Sequence, residues 1–154
     1  MINVDASFVG SICDANVGVV ARNSADDVVV SSWDYIGACY SVEEAELRVS
    51  LSGLYIGMTL DMRVILETDC SFVASVFGKD YVDRSSLVDL KKEAVDVSKL
   101  LVNLQISKIN RRANMVAHEI AKFSFDNRSD GFLFHSVPPC VAKFVMNDCT
   151  NILS

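Results

Sequence analysis

The chain opens on an alternation of apolar and polar positions. From Ile2 to Val9, the apolar Ile2, Val4, Ala6 and Phe8 interleave with Asn3, Asp5 and Ser7, which predicts a half-buried strand. Val17 to Arg22 and Val28 to Tyr35 follow, rich in β-branched and aromatic residues and separated by the turn-forming Asn23-Ser24-Ala25-Asp26-Asp27. Three strands with short links predict an antiparallel meander.

The period then becomes helical. Ser41-x-x-Glu44 is a capping box, in which Ser41 accepts from an early backbone N–H while Glu44 reaches back. Behind it, Leu47, Leu51, Leu54 and Met58 form an apolar stripe, and Glu46, Ser50, Gly53 and Gly57 a parallel row of mostly small residues. That second row allows close approach to a sheet and sets one carboxylate at the contact. Arg63 to Thr68 predicts a short strand ending at Asp69, Ser71 to Phe77 a helical segment, and Ser85 to Leu101 a longer helix with Leu87, Leu90, Ala94, Val97 and Leu101 inward. Leu104 to Ile109 returns to strand, and Ala113 to Phe125 predicts a helix with Val116, Ile120 and Phe123 on its core face. Pro138-Pro139 can open a last helix containing Val141, Phe144 and Val145. The order βββ-α-β-α-α-β-α-α predicts one mixed α/β sheet flanked by helices, its three antiparallel strands first.

Composition narrows the class. The chain has 154 residues, 51% of them hydrophobic, which suits one globular domain and excludes a disordered polymer. Residues 1–128 are expected to form that domain, and residues 129–154 a C-terminal loop and helix packed on it. Mean hydropathy is +0.30, yet the apolar runs are too short to span a bilayer, so no membrane association is expected. The first nine residues lack the basic start and long apolar stretch of a secretory signal, so an intracellular protein is expected, with nucleus and cytoplasm equally open. Met1 stands directly before the first strand, which is compatible with a domain cut from a larger reading frame.

The net charge of −6 argues at first against nucleic acid. Its distribution softens the argument: residues 1–104 carry 8 basic and 16 acidic side chains, residues 105–154 carry 6 and 4. The tightest basic group is Lys108, Arg111 and Arg112, which is either a solvated loop or a phosphate contact. The five cysteines form no C-x-x-C pair, so zinc-ribbon and thioredoxin-like readings lose their signature and reduced, mostly buried thiols are expected. Cys70 beside Asp69 lacks a recognisable histidine partner for nucleophilic chemistry.

Three acidic residues occupy unusual places. Asp5 interrupts an apolar strand, Glu46 lies on the sheet-facing side of a helix, and Asp69 ends a strand, where α/β sheets tend to bind ligands. Buried together they would repel, and a hard divalent cation resolves that conflict. Two such ions would clamp the attacking and leaving oxygens of a phosphodiester. Each residue alone has an ordinary alternative: a strand hydrogen bond for Asp5, the solvated helix surface for Glu46, a helix N-cap for Asp69.

The ordered set resembles a known family. Asn3-Val4-Asp5-Ala6-Ser7-Phe8 and Gly18-Val19-Val20-Ala21-Arg22-Asn23 are similar to the start of the type 1 ribonuclease H domain, in the variety abundant in plant genomes and retroelements. Ala45-Glu46-Leu47 resembles its first-helix motif, and Val64-Ile65-Leu66-Glu67-Thr68-Asp69 its fourth strand with a terminal acid. Asn110 to Ala121 resembles the subfamily signature R-x-x-N-x-x-A-H-x-L-A, with Ile120 for the usual Leu. The resemblance covers about residues 2–125. It implies a ribonuclease H-like fold with a five-stranded mixed sheet, and Mg²⁺-dependent (or Mn²⁺-dependent) hydrolysis of the RNA strand of an RNA–DNA hybrid. Carried over by position, Asp5 would bind two metal ions. Glu46 would bind one and contact the RNA 2′-hydroxyl, and Asp69 would bind the ion that activates the attacking water. Lys108, Arg111, Arg112 and Asn114 would contact nucleic acid.

Two departures from the family pattern stand out. His118 occupies the position of a fourth catalytic acid, where imidazole would favour Mn²⁺ or Zn²⁺ over Mg²⁺, or else simply packs on its helix. The loop before it, Lys108-Ile109-Asn110-Arg111-Arg112, lacks the family's mobile histidine, and His135 reads as an ordinary loop residue. Trp33 and Tyr35 either line a groove or belong to the core. An active hybrid nuclease is therefore expected. Its alternative is a lapsed one serving as a nucleic-acid-binding or interaction module, and in either case a monomer, compatible with a place in a larger retroelement-derived polyprotein.

Overall fold

Neighbouring side chains of one central strand belong to two different cores. The computed structural model describes residues 1–60, 63–78 and 86–151, the last four without side-chain detail, so the predicted helix start at Ser85 and the Cys149 thiol lie outside the described set. Strand β2 (Asp14–Arg22) is buried along nearly its whole length. Its Val17, Val19 and Ala21 join the larger cluster with Leu47, Leu54 and Val97, whereas Val20 joins Val116, Ile120 and Val141. A strand buried on both faces loses the polar alternation of a one-sided sheet, as β2 does.

The sheet runs β5-β4-β1-β2-β3-β6. Strand β1 (Ile2–Val9) pairs antiparallel with β2, which pairs antiparallel with β3 (Val28–Ala38), as the meander predicts. Strands β4 (Ile65–Thr68) and β5 (Gln105–Lys108) extend it in parallel on the β1 side. The sixth strand, β6 (Gly131–Phe134), pairs antiparallel with β3 and corrects the expected count of five. Four residues at a sheet edge, with Phe132 and Phe134 outward and stacked edge-to-face at 4.8 Å, leave no alternation strong enough to mark a strand.

Helix α1 (Val42–Thr59) starts at Ser41, whose hydroxyl accepts from Glu44 N. The Glu44 carboxylate reaches one residue further back than expected, to Tyr40 N at 3.0 Å. The small row permits the expected close approach: a Cβ on Gly53 would stand 2.7 Å from Val4 Cγ1 and 2.8 Å from Leu66 Cδ1. Leu47, Leu51 and Leu54 are buried as predicted, but Met58, in the last turn, is exposed. Helices α2 (Ser71–Val76) and α3 (Val88–Ser98) lie on the same side, α3 against α1 through Ala94 and Val97.

The opposite face is covered by α4 (Met115–Asn127), preceded by a 3₁₀ turn, Arg111–Asn114. Helix α5 (Ala142–Asn151) follows the C-terminal loop, and Val141, Phe144 and Val145 pack onto the α4 side of the sheet. No helix among the described residues is long and apolar enough to cross a membrane. Of the described cysteines, Cys39 is buried, Cys70 half-buried, and Cys13 and Cys140 exposed, so the thiols are less buried than expected.

Candidate active site

Register sets the site. Asp5 pairs with Gly18 across β1 and β2, so both project toward α4, while neighbouring Val4 projects toward α1. Gly18 is where α4 comes closest: a Cβ there would meet the Ala117 carbonyl at 2.3 Å. That approach brings His118 of α4 over β1, where its Nδ1 lies 2.8 Å from Asp5 Oδ2. On the other side, β1 pairs in parallel with β4 through Asn3 and Glu67. Continuing that register two residues sets Asp5 level with Asp69 at the carboxyl end of β4.

Asp69 is held by Asn114, the last residue of the 3₁₀ turn. One amide nitrogen donates to Val4 O at 2.8 Å and to Asp69 Oδ1 at 3.3 Å. Asn114, expected to contact nucleic acid, is only 1% exposed, and its side chain braces the inside of the site. A bond spanning 110 residues has no local signature in the sequence.

Glu46 completes the group from the first turns of α1. It is buried, and its Oε2 has no hydrogen-bond partner. Burial pushes its carboxyl up to about 8, reinforced by the charges of Asp5 and Asp69, against the Ala6 backbone N–H and Arg111. Burial likewise pushes Asp5 up to about 6, with the Asp69 charge adding to it and the His118 hydrogen bond and Arg111 opposing it. The Asp69 charge thus disfavours ionisation of both Asp5 and Glu46, the condition a bound cation relieves.

The donors suit a hard divalent cation: carboxylate oxygens, one of them buried and unpartnered. As the side chains stand, however, no three His, Cys, Asp or Glu residues among the described set form a group able to hold a metal ion. Asp5 Oδ2 is engaged by His118 and Asp69 Oδ1 by Asn114.

Of the basic residues singled out, Lys108 ends β5 opposite Thr68, and Arg111 and Arg112 open the 3₁₀ turn; all three are exposed. Asn110 caps that turn by accepting from Ala113 N at 3.0 Å. Trp33 and Tyr35 do not line a groove at the carboxylates. The Trp33 indole meets Phe123 edge-on at 5.3 Å and donates to Ser129 Oγ, and Tyr35 donates to Asp14. His135 is an exposed loop residue in a left-handed conformation, as read.

Residues 3–124 match the reverse transcriptase-like family. The chain belongs to that family. Its ribonuclease H-like fold recurs in solved structures. The type 1 ribonuclease H of Halobacterium salinarum NRC-1 superposes with a TM-score of 0.75 at 19% identity, covering 82% of this chain and 96% of that one. A type 1 ribonuclease H isolated from compost, solved in complex with an RNA/DNA hybrid, gives 0.74 at 22% identity, with 82% and 96% covered. A foamy viral protease-reverse transcriptase in complex with dsDNA gives 0.65 at 15% identity, with 79% and 90% covered. No curated protein matches this member of the reverse transcriptase-like family.

Proposed function

We propose that this chain is an RNA–DNA hybrid ribonuclease, an endonuclease hydrolysing the RNA strand with the aid of Mg²⁺ or Mn²⁺. The observation that carries this reading is the gathering of Asp5, Glu46 and Asp69 from three separate elements at one end of the sheet, with Glu46 Oε2 buried and unpartnered. A fold spends stability on mutually repelling acids where function requires them. Asp5, Glu46 and Asp69 would hold the cation, which would supply Lewis-acid activation of water and of the phosphodiester. Asn114 keeps Asp69 oriented, and His118 keeps Asp5 oriented. Against an ionised Asp5, Nδ1 of His118 is the donor of that bond. Exposed Lys108, Arg111 and Arg112 supply positive charge for the hybrid's phosphates. The likeness to a ribonuclease H bound to an RNA/DNA hybrid supports the substrate class.

A second reading rests on the Asp5–His118 bond. Because it occupies a carboxylate that would otherwise face the cation, the domain can instead be a lapsed nuclease that binds nucleic acid without turnover. Cleavage of a labelled RNA–DNA hybrid with Mg²⁺ or Mn²⁺, beside Asp69→Asn, separates the two. Metal-dependent cleavage lost in the variant supports the nuclease; salt-sensitive binding with no cleavage supports the lapsed module.

A further inference from the structure

Two cysteines far apart in sequence meet where β2 begins and β3 ends. The register of those strands sets Asp14 against Ala38, so the next residues outward, Cys13 and Cys39, face each other. Their backbones are bonded there, Cys39 N donating to Cys13 O at 2.8 Å. Bond lengths then hold the two Cα atoms within roughly 6.7 Å, inside the span of about 4.4–6.8 Å that a disulfide bridges. Residues opposite one another in an antiparallel pair project to one face, so no strand lies between the two side chains.

Both thiols are free, and each is engaged by a carbonyl. Cys13 Sγ donates to Gly10 O at 3.7 Å, and Cys39 Sγ to Ser41 O at 3.3 Å. Their surroundings differ. Cys13 ends the turn Gly10–Cys13, which is exposed throughout, and has a left-handed backbone with φ 51°. Cys39 is buried with Ala15 and Ala45, and burial pushes its thiol up. The accessible sulfur thus sits on a turn that can adjust, and the sheltered one on the packed side. Helix α1, with Glu46 in its first turns, starts three residues after Cys39.

We propose that Cys13 and Cys39 are a redox modification site, closed by a small-molecule disulfide such as glutathione disulfide into a cross-strand bond that pins the start of α1 to the β1–β2 turn. This inference is independent of the hybrid-nuclease reading. The Cys13 thiolate attacks one sulfur of glutathione disulfide and releases one glutathione thiolate, leaving a mixed disulfide. Cys39 gives its proton to water, attacks the Cys13 sulfur and releases the second glutathione. The two protein thiols lose two electrons, glutathione disulfide gains them, and the two protons pass to the departing thiolates.

The experiment incubates the whole chain in glutathione redox buffer, quenches with acid, alkylates the remaining thiols and digests with trypsin. Trypsin cuts between the two cysteines only at Arg22, so the bond joins fragments 1–22 and 23–48, each with one cysteine. That joined mass, without retained glutathione, is the expected product. In Cys39→Ala the second attack is lost, so glutathione held on Cys13 should rise about tenfold or more over the wild type. The cross-linked protein should melt roughly 5–10 °C above the same sample after reduction. Glutathione retained on Cys13 equally in wild type and Cys39→Ala overturns the proposal, as does a bond joining two chains or another cysteine. Absence of the joined mass at every buffer ratio overturns it too, and an unchanged melting temperature removes the pinning of α1.

Discussion

His118 Nδ1 and Asp5 Oδ2 stand 2.8 Å apart, joining α4 to the central strand at the point where the acidic residues gather. The contact exists because Gly18 lets α4 approach β2 so closely that the next residue after Ala117 overhangs β1. An imidazole at that point gives Asp5 a hydrogen-bond donor, whereas a carboxylate would add a fourth repelling charge. Replacing it should expose the balance. His118→Asp is expected to lower the stability of the metal-free protein by about 1–3 kcal/mol and to enlarge the rise in melting temperature on adding Mg²⁺ or Mn²⁺. Thermal melts with and without each metal check this. A variant as stable as the wild type without metal would show that the pair carries little energy.

The acids themselves make stability depend on pH. Glu46 is raised from its ordinary 4.5 to about 8 and Asp5 from 3.8 to about 6, burial being the first cause of both. Between those limits the folded chain binds more protons than the unfolded one. The stability contribution is therefore fully present below about pH 4 and is lost as pH rises through about 6 and then about 8. Urea denaturation of the metal-free protein should give lower stability at pH 8 than at pH 5. Glu46→Gln should flatten the part of that decline above pH 6. Added Mn²⁺ should restore stability at pH 8 in the wild type and restore less in the variant.

Asn114 is the buried brace of the site. Its amide serves two acceptors from distant parts of the chain, so Asn114→Ala strands Val4 O and frees Asp69. The expected cost is about 1–3 kcal/mol of stability, read by urea denaturation. Asn114→Asp should cost more than Asn114→Ala above pH 6, because it adds an acid beside Asp69 while keeping the side chain's size. If both variants match the wild type, the brace is not what holds Asp69.

Much of this architecture was legible beforehand because local rules carried it. The alternation in Ile2 to Val9 set the face of every residue in β1, and hence put Asp5 opposite Val4. The row Glu46-Ser50-Gly53-Gly57 foretold a close helix–sheet contact, and all four are buried there. The parts that escaped depend on distant partners. Asn114 carries only the nucleic-acid contact that the family resemblance implies until β1 is laid beside it, and β6 is a strand only because β3 offers an edge to pair with. Trp33 could be placed in neither core nor groove from its strand alone, since Phe123 and Ser129 lie about ninety residues on.

Two glycines allow the close approaches to be ranked. At Gly18 a Cβ would stand 2.3 Å from the Ala117 carbonyl oxygen and 2.4 Å from Ala121 N, both backbone atoms of a helix that cannot yield locally. At Gly57 the nearest atom is a Val64 methyl at 3.0 Å, which can shift by a few tenths of an ångström. Gly18→Ala is therefore expected to cost about 3 kcal/mol or more and Gly57→Ala about 1 kcal/mol or less. Because Gly18 sets the distance of α4 from β1, Gly18→Ala should also weaken Mn²⁺ binding at Asp5, which Gly57→Ala should not. Equal losses of stability would show that α4 adjusts its position freely.

Strand β6 forms the sheet edge that the sequence concealed. Gly131 starts β6 beneath the chain's one tryptophan, and a Cβ there would fall 2.1 Å from Trp33 Cζ2. The ring has little room to retreat, since Phe123 meets it edge-on at 5.3 Å and Ser129 Oγ holds its Nε1 at 3.3 Å. Gly131→Ala must push β6 off β3 or turn the indole out of its site. Either movement exposes the ring to water, so the tryptophan emission should shift to longer wavelength, with a stability loss of about 1–3 kcal/mol. Asp5, Glu46 and Asp69 lie on other strands and on α1, so the pH dependence of stability should keep its midpoints. An unshifted emission spectrum in Gly131→Ala would mean that β6 is not seated against Trp33.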